Sequence, residues 1–454
     1  MLGGHLLMRL GLLTEEQRQL GIEKNGIKGP VSTLNIIQGT QDRYSTAIAQ
    51  SISKQQISNS KDIMSQSNIR VAIIGGGPAG LTLARLLQLN NLHCSVFELD
   101  TDSLGRDQGG TVDLHPQGGQ LALKHAGLTE EFKKLSRPEG EALKLLKYDG
   151  TVLYDENVIG TNRPEEYANR PEIDRTKLRQ LLLNSLKPGT VVWNRKLQSV
   201  QKSSLQAGKY DLIFQDSREE GFDLVVGADG AWSKVRSFLT DQQPYYSGVT
   251  AIELWAEDID KRHQWLSDFV GAGNCFMFDE GRAIQCQKLG NSSIRVYAGV
   301  RQPEEWLEKC GIDWSSSETA RQKLIGQYYA DCGDELKQAI LDANDKLIPR
   351  RMWMLPVGFR WRCDGGATLV GDAAHVMTPF AGVGVNLAMV DSLDLANAIV
   401  GCGGDREKLS DAIQAYEDEM LSRAEQFAKK TYKGLINHFS ADGAQEMAMR
   451  LRRG

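Results

Sequence analysis

The sequence lacks the signs of a secreted, metal-binding or membrane-spanning protein. Its seven cysteines are scattered, odd in number and never spaced as C-x-x-C, which argues against both a disulfide framework and a zinc site. No segment approaches the roughly 18 consecutive apolar residues of a membrane helix. These absences favour a cytoplasmic protein with reduced thiols, no membrane span and no metal site.

An excess of positive charge is missing as well. The 454 residues include 53 Lys and Arg against 58 Asp and Glu, which gives a formal net charge of −5. A nucleic-acid-binding protein would show a strongly basic face. We therefore expect no nucleic-acid partner, and instead a monomer that binds a small organic substrate. The length allows two or three packed units.

The first 67 residues differ from the rest. The opening MLGGHLLMRLGLL is apolar but is interrupted by Arg9 and followed by Glu15 and Glu16, which suits neither a secretory signal nor a transit peptide. Residues 51–67 are polar and rich in Ser, Gln and Asn, as in a mobile linker. We interpret residues 1–67 as a flexible N-terminal extension, of which residues 1–63 are dispensable and Met64 is an alternative start.

The most informative motif follows this extension. Residues 69–74 (IRVAII) are mostly apolar and β-branched, as in a strand that is buried on both faces. Gly75, Gly77 and Gly80 then form G-x-G-x-x-G at the start of a helical pattern, and a second strand ends at Glu98. This order of strand, turn, helix, strand and acid is typical of dinucleotide binding.

Each residue type in this motif has a physical role. Gly75 permits a tight turn, Gly77 lets a pyrophosphate approach the backbone, and Gly80 lets the helix pack closely on the strand. The phosphates would contact unpaired amides at the helix N-terminus. Glu98, after the strand at 93–97, would accept hydrogen bonds from ribose hydroxyls and repel a 2′-phosphate. This excludes NADP at this position and leaves NAD and FAD open.

Two later motifs each follow an apolar strand. Residues 224–226 lead into GADG with Asp229, which we call the DG motif, and residues 367–370 lead into GDAAHVMTPFAGVGVN with Asp372, which we call the GD motif. The second motif ends in a glycine-rich turn over residues 379–386 that enters a helix. Such a turn presents unpaired backbone amides to an anion.

The three motifs, in this order, resemble the aromatic-hydroxylase class of single-component FAD-dependent monooxygenases over residues 68–436. The resemblance implies an α/β fold with a Rossmann-like FAD-binding domain, a mixed-sheet substrate domain, a long C-terminal bridging helix and no separate domain for NAD(P)H. The implied division is an extension at 1–67, FAD-binding parts at 68–240 (with insertions from the substrate domain) and 351–400, a substrate domain at 241–350, and a C-terminal helix and tail at 401–454.

A closer resemblance is to the tetracycline-inactivating flavin monooxygenases. It rests on RDQGGTVDLH (106–115), PEIDRTKLRQLLLNSL (171–186), SKVR (233–236) and DAAH (372–375). By position, it implies that Asp372 binds the ribityl chain or nearby FAD oxygens and that Arg175 and Asp113 lie along the flavin. It also implies that Arg106 helps to receive NADPH.

The resemblance weakens between residues 245 and 350. Cys275 and Tyr297 stand there where the tetracycline enzymes have a basic residue and a histidine, so the substrate stays open. Our predicted substrate contacts are Glu253, Tyr297 and Phe380. The residues that we expect at the cofactor are Gly75, Gly77, Ala79, Gly80, Glu98, Arg106, Asp113, Arg175, Asp229, Asp372, Pro379, Gly382, Gly384, Val385 and Asn386.

Several of these residues have simpler interpretations. Asp372 could cap the helix that follows it, and Asp229 with Ser233 could form a turn and cap without contacting a ligand. His375 is surrounded by small apolar residues and is more typical of a packed core residue than of a catalytic base.

Three arginines also divide between cofactor and surface. Arg175 and Arg179 lie one turn apart on an amphipathic helical pattern. We expect Arg175, at the helix start, to contact the cofactor and Arg179 to lie on a solvated face. Arg106 lies in a turn-rich stretch, where a surface role is a comparable alternative.

The second half of the chain predicts a sheet that covers the cofactor and a long helix that packs against both domains. Period-two runs over residues 248–350 predict a sheet with one covered face, followed by a charged helical segment at 303–346. Apolar residues at helical spacing predict a long amphipathic helix over residues 409–435. Side chains that could line the cavity, or belong to the core, are Trp255, Phe276, Met277, Phe278, Tyr297, Trp353 and Met354.

The chemistry that the resemblance implies needs no catalytic side chain. NADPH would reduce the flavin, and a flavin C4a-hydroperoxide formed with O₂ would transfer one oxygen atom to a phenolic, enolic or polycyclic small molecule, a tetracycline-like antibiotic included. The alternatives are a flavin-dependent dehydrogenase or reductase of the same fold that does not transfer oxygen, and a protein that binds FAD without chemistry. The sequence does not decide between NADPH and NADH, or between hydroxylation and Baeyer–Villiger insertion.

Overall fold

Short strands and helices alternate along the chain, as expected of an α/β protein. A computed structural model describes residues 69–103, 109–160 and 169–452. The strands are β1 (Val71–Ile74), β2 (Cys94–Phe97), β3 (Thr111–Asp113), β4 (Leu143–Leu146), β5 (Val152–Asp155), β6 (Glu172–Asp174), β7 (Val191–Val192), β8 (Leu197–Lys202), β9 (Tyr210–Phe214), β10 (Arg218–Phe222), β11 (Leu224–Gly227), β12 (Tyr245–Ala256), β13 (Asn274–Asp279), β14 (Arg282–Lys288), β15 (Ile294–Arg301), β16 (Lys346–Met354) and β17 (Ala367–Leu369).

The helices connect these strands and close the chain. They are α1 (Pro78–Leu89), α2 (Gly119–His125), α3 (Thr129–Leu135), α4 (Glu156–Ile159), α5 (Arg175–Asn184), α6 (Lys234–Leu239), α7 (Ile259–Arg262), α8 (Gln264–Val270), α9 (Trp306–Lys309), α10 (Ser317–Leu324), α11 (Asp334–Asp342), α12 (Asp372–His375), α13 (Gly384–Gly401), α14 (Arg406–His438) and α15 (Gly443–Arg452). None of the helices in the described ranges combines the length and apolar character that a bilayer crossing requires.

A parallel sheet carries the three sequence motifs. Its strands run in the order β17-β11-β1-β2-β7, and every neighbouring pair is parallel. All four residues of β1 are buried, as the apolar, β-branched run predicted. Several strands begin or end one or two residues away from the expected positions. β1 starts at Val71 instead of residue 69, β2 starts at Cys94 instead of residue 93, and β17 ends at Leu369 instead of residue 370.

A mixed sheet of seven strands forms the second layer, in the order β16-β12-β15-β14-β13-β4-β5. Alternate residues of each strand point to opposite faces. One face packs its apolar side chains against α8, α10 and α11, so the predicted sheet with a covered face is confirmed. Met277 lies in that core. The opposite face carries a row of cross-strand neighbours, Glu253, Tyr297 and Gln285.

Two smaller strand assemblies complete the sheets. β8, β9 and β10 form an antiparallel sheet of three strands. β3 and β6 form a two-stranded antiparallel ribbon in which Asp113 lies opposite Glu172 and Thr111 opposite Asp174. We call this pair of strands the β3–β6 ribbon. Because α5 begins directly after β6, the ribbon places Asp113 and Arg175 on one short unit.

The long amphipathic helix is confirmed as α14. Its buried side includes Leu409, Ile413 and Met420, and Tyr416 Oη donates to the carbonyl of Leu369 in β17 at 2.9 Å. At its other end the ring of His438 packs on Phe278 of the mixed sheet, with centroids 4.0 Å apart. The helix therefore braces the parallel sheet against the mixed sheet.

Gly80 should not tolerate a side chain. A Cβ there would collide with Gly75 O and press on Ile73 Cγ2 at 3.1 Å and Ala228 Cβ at 3.2 Å. We expect Gly80→Ala to lower the free energy of unfolding by about 1–3 kcal/mol through overpacking, measured by denaturant unfolding. Gly326→Ala is the control, because a Cβ at Gly326 would meet nothing within 4 Å. Equal stability of the two variants would contradict the close approach of α1 to the sheet.

Candidate cofactor site

Two helices begin with open N-termini near the motifs. The N-cap of α1 is Gly77 and that of α13 is Val383, and neither helix start has a capping hydrogen bond from its N-cap side chain. A Cβ at Gly77 or at Gly384 would meet no atom within 4 Å. The first amides of a helix have no partner inside the helix and attract anions. Both helix starts are therefore suited to phosphate or to an anionic ring edge.

Glu98 closes the glycine loop from the side. It is only 3% exposed, and its carboxylate accepts hydrogen bonds from the backbone N–H of Gly76 and from that of Asp100 at 3.0 Å. The side chain is thereby fixed at the end of β2, beside the open start of α1. This is the position that the sequence predicted for a ribose-binding acid.

Arg179 corrects one of our expectations. Its side chain is 3% exposed rather than solvated, and it forms a buried ion pair with Asp100 at 3.1 Å. It also donates to the carbonyls of Gly76 at 3.1 Å and Ser103 at 3.0 Å, and its guanidinium lies 5.4 Å from the centre of the Trp193 ring. The helical pattern of α5 could not show this, since the partners are 76 to 103 residues away in sequence. Arg175, in contrast, is exposed.

The DG motif forms a turn and a cap, as its simpler interpretation predicted. The Asp229 carboxylate accepts from Ser233 Oγ at 2.5 Å and from the backbone N–H of Lys234 at 2.7 Å. Burial raises the pKa of Asp229, while these hydrogen bonds oppose the rise. The buried Arg236 donates to the carbonyl of Ala373 at 2.9 Å. The DG turn is thus tied to α12 in the GD motif.

The carboxylate of the GD motif is exposed and does not cap a helix. Asp372 is exposed, and the N-cap of α12 is Gly371, with no capping hydrogen bond from a side chain. The capping interpretation of Asp372 is therefore wrong. The residue stands at the carboxyl end of a parallel strand, where ligands of open α/β sheets bind.

His375 is a structural residue, as its apolar surroundings predicted. Its Nε2 lies 2.6 Å from Asp391 Oδ2, and Asp391 also accepts from the Gly371 N–H at 3.0 Å and from Arg423 at 3.0 Å. Burial alone would raise the pKa of Asp391, but His375 and Arg423 together hold it below its ordinary value. This buried ion cluster fixes the GD turn to α13 and α14.

The glycine-rich turn meets the β3–β6 ribbon through Asn386. Asn386 Oδ1 accepts from the backbone N–H groups of His115 at 2.8 Å and Gly119 at 2.9 Å, and its Nδ2 donates to the Asp113 carbonyl at 2.9 Å. A Cβ at Gly382 would lie 3.7 Å from Asp113 Oδ1. The predicted residues Asp113, Gly382 and Asn386 are therefore brought together, although the Asn386 side chain serves the scaffold.

Tyr297 faces this region from the mixed sheet. A Cβ at Gly110, next to β3, would lie 3.2 Å from Tyr297 Oη and 3.3 Å from Gln287 Oε1. Burial raises the pKa of Tyr297 to about 12, and Glu253 adds to the rise while Arg175 opposes it. The phenol is therefore protonated at neutral pH and can donate a hydrogen bond. No sequence signal distinguished Gln287.

The other two predicted substrate residues are more enclosed. Glu253 is 3% exposed, accepts from Trp255 Nε1 at 2.9 Å and pairs with the Arg350 guanidinium. Phe380 packs against His438 and Phe439. Their contact with a substrate stays a prediction. Arg106 lies outside the described residues.

The remaining cavity candidates divide between the two faces of the mixed sheet. Trp353 packs against Trp232 and Tyr246, and Met354 is buried. Trp255 lies on the face of Tyr297, with the Arg295 guanidinium 3.4 Å from its ring centre. Among the described residues, no group of three or more His, Cys, Asp or Glu side chains is placed to hold a metal ion.

Comparison with known proteins identifies relatives over most of the chain. Residues 68–431 match the model of a family described as FAD binding domain. The monooxygenase penA of Penicillium thymicola is 31% identical over 431 residues, which cover 84% of this chain and 98% of the relative. The salicylate hydroxylase of Pseudomonas putida is 24% identical and covers 78% of this chain and 83% of its own length.

Solved structures show the same fold. Klebsiella pneumoniae HpxO, complexed with FAD and uric acid, superposes with a TM-score of 0.69 at 18% identity, over 87% of this chain and 95% of that chain. The tetracycline destructase Tet(51) superposes with a TM-score of 0.60 at 17% identity, over 85% of this chain and 95% of that chain. The predicted α/β fold is confirmed.

Asn386 is predicted to hold the site together. Asn386→Ala leaves the N–H groups of His115 and Gly119 and the Asp113 carbonyl without the partner that each has now, which should lower the free energy of unfolding by roughly 1–3 kcal/mol and weaken FAD binding. Asn397→Ala, at an exposed position of the same helix, should change stability by less than about 0.5 kcal/mol. Thermal unfolding and FAD titration measure both effects. If Asn386→Ala behaves like the control, the tether between α13 and the ribbon is not important.

Proposed function

Because this chain belongs to the FAD-binding-domain family of flavin-dependent monooxygenases of the aromatic-hydroxylase type, we propose that it uses NADPH and O₂ to hydroxylate a phenolic, enolic or polycyclic small molecule. The observation that carries the proposal is that the two helices with open starts, α1 and α13, pack together beside the turn that exposes Asp372. Ser392 Oγ of α13 donates to the Ala79 carbonyl of α1 at 2.9 Å, and a Cβ at Gly371 would lie 3.5 Å from Ala79 Cβ. FAD, when bound, supplies the redox chemistry and the activation of O₂.

The residues present fit FAD. The open start of α1 with Gly75, Gly77, Ala79 and Gly80 would hold the pyrophosphate, and Glu98 would hold the adenosine ribose. Space beside Gly77, where a Cβ would meet nothing within 4 Å, supports this assignment.

The GD motif and its turn would hold the rest of the cofactor. Asp372 would bind the ribityl chain, and the backbone of Pro379, Gly382, Gly384 and Val385 would face the flavin ring. Uncapped amides at the start of α13 can stabilise negative charge on the ring. Asp113, Arg175 and Asp229 would contribute around this part, with Asp229 acting through its turn.

The protein's own task at the substrate is to orient it and to exclude water. Tyr297 is protonated at neutral pH and can donate to an acceptor oxygen of the substrate. Glu253, the cross-strand neighbour of Tyr297, is held in place by Trp255 and Arg350. These features support a substrate with a hydroxyl or carbonyl oxygen. A tetracycline-like antibiotic is one such compound, and the fold by itself does not select it.

The proposal includes an arrangement of the chain. FAD-binding parts at 68–240 and 351–400 would enclose a substrate domain at 241–350, with the helix and tail at 401–454 bridging them. The mixed sheet supports this division, and its strands β4 and β5 come from the first part as an insertion. We propose a monomeric cytoplasmic enzyme.

The activity is tested with the purified full-length protein reconstituted with FAD. NADPH oxidation, with NADH in parallel, is followed while phenols, quinones and tetracyclines are screened. We expect a substrate that stimulates NADPH oxidation and a product heavier by one oxygen atom. Oxidation of a substrate without O₂ consumption would show instead a dehydrogenase or reductase. A protein that cannot be reconstituted with FAD would refute the proposal.

Asp372 is predicted to bind FAD directly. Loss of a charged hydrogen-bond acceptor costs about 1.5–3 kcal/mol, so Asp372→Ala should raise the Kd for FAD on the order of 10- to 100-fold, measured by quenching of flavin fluorescence. Asp411→Ala, at an exposed position of α14, is the control and should leave the Kd unchanged. Wild-type affinity in Asp372→Ala would show that this carboxylate does not bind the cofactor.

A further inference from the structure

Glu172 is a buried carboxyl that the proposed chemistry does not use. It lies in β6 of the β3–β6 ribbon and is 5% exposed. Thr111 Oγ1 donates to its Oε2 at 2.7 Å, and Asn274 Nδ2 donates to its Oε1 at 3.3 Å. Two neutral groups thus hold the carboxyl, and neither brings the positive charge that a buried carboxylate requires.

The charge of Arg137 favours the ionised carboxyl, but its guanidinium donates to Thr111 Oγ1 at 3.2 Å, the hydroxyl that in turn donates to Glu172. Asp113 lies directly opposite in the ribbon, and the nearby Arg137 is 3.6 Å from Asp174, which Lys177 also approaches at 3.3 Å. Lys288, whose carbonyl accepts from Arg137, directs its ammonium to Ser267 Oγ at 2.8 Å. Lys177 and Lys288 are therefore engaged with other groups, and Arg137 is shared between Asp174, Thr111 and the Lys288 carbonyl.

Burial raises the pKa of Glu172 to about 7, and Asp113 adds to the rise, while Thr111, Asn274 and Arg137 oppose it. The carboxyl is therefore mostly protonated in mildly acid solution and mostly ionised in mildly alkaline solution. Asn274 Oδ1 is buried and has no hydrogen-bond partner among the described residues. A rotated Asn274 amide would place this acceptor at Glu172 Oε1, where a protonated carboxyl could donate to it.

We propose that Glu172 is a positioning residue that keeps Asp113 in place at the candidate flavin site only while its own carboxyl carries a proton. Like charges directly opposite each other destabilise a strand pair, so ionised Glu172 would push against Asp113. His115 also faces Asp113, with its Nε2 2.9 Å from Asp113 Oδ2, and the Glu172→Gln variant separates the two effects because it leaves His115 in place. The ribbon also holds Arg175, whose N–H donates to the Gly110 carbonyl at 3.1 Å. A displaced ribbon would therefore disturb both of these predicted flavin contacts.

The direction of the pH effect follows from the raised pKa. The stabilising protonated form is fully present at low pH and is lost as the pH rises through about 7. The inference rests on the proposed FAD site, and it predicts that FAD binding weakens above neutral pH. Because one proton is involved, the Kd for FAD should rise by at most about tenfold per pH unit.

The test is FAD titration of the full chain between about pH 5.5 and 8.5, followed by quenching of flavin fluorescence. Wild-type protein should show the rise in Kd, whereas Glu172→Gln, a neutral isostere, should bind FAD with a constant Kd close to the wild-type value at low pH. Glu139→Gln, at an exposed position next to the ribbon, should keep the wild-type profile.

A second variant and a second readout keep the test decisive. Thr111→Val removes the donor that favours the ionised form, so it should move the midpoint to higher pH. Without FAD, the unfolding temperature of the wild type should be lower at pH 8 than at pH 6. The unfolding temperature of Glu172→Gln should be the same at both pH values. A wild-type profile in Glu172→Gln, or a level profile in wild type, would overturn the proposal. A wild type that binds no FAD at any pH would refute the proposed function instead, and the unfolding midpoints would then decide the role of Glu172.

Discussion

The close approach of two helices to one parallel sheet is the constraint on which the rest of the structure depends. α1 follows β1 with so little space that a Cβ at Gly80 would collide with the Gly75 carbonyl, and a Cβ at Gly371, after β17, would lie 2.9 Å from Ala388 Cβ of α13. Parallel strands bring these turns to the same edge of the sheet. The uncapped starts of α1 and α13 leave backbone amides free there, which favours a ligand with a diphosphate and a ring that accepts negative charge.

The mixed sheet forms the other side of the candidate site. The mixed sheet turns Tyr297 towards the β3–β6 ribbon and its covered face towards α10 and α11. Helix α14 contacts the parallel sheet through Tyr416 and the mixed sheet through His438. A planar substrate would thus meet a polar row on one side and the candidate flavin position on the other.

The sequence predicted the local parts of this arrangement well. Apolar runs followed by glycine turns predict buried strands before helices, and this held for the strands before Gly75, Asp229 and Asp372. The sequence could not predict contacts between distant residues. Helical spacing predicted a solvated Arg179, yet its partners come from the glycine loop and the residues after β2. Asn386 and Glu172 act through residues 271 and 61 positions away, for which one sequence carries no signal.

A crystal structure of the full chain with FAD tests the central claim most directly. The account predicts a pyrophosphate at the start of α1, a ribityl chain within hydrogen-bond distance of Asp372, and a flavin ring between the Gly382 turn and Tyr297. Electron density for FAD at any other position, or a Tyr297 face closed off from the ring, would contradict it.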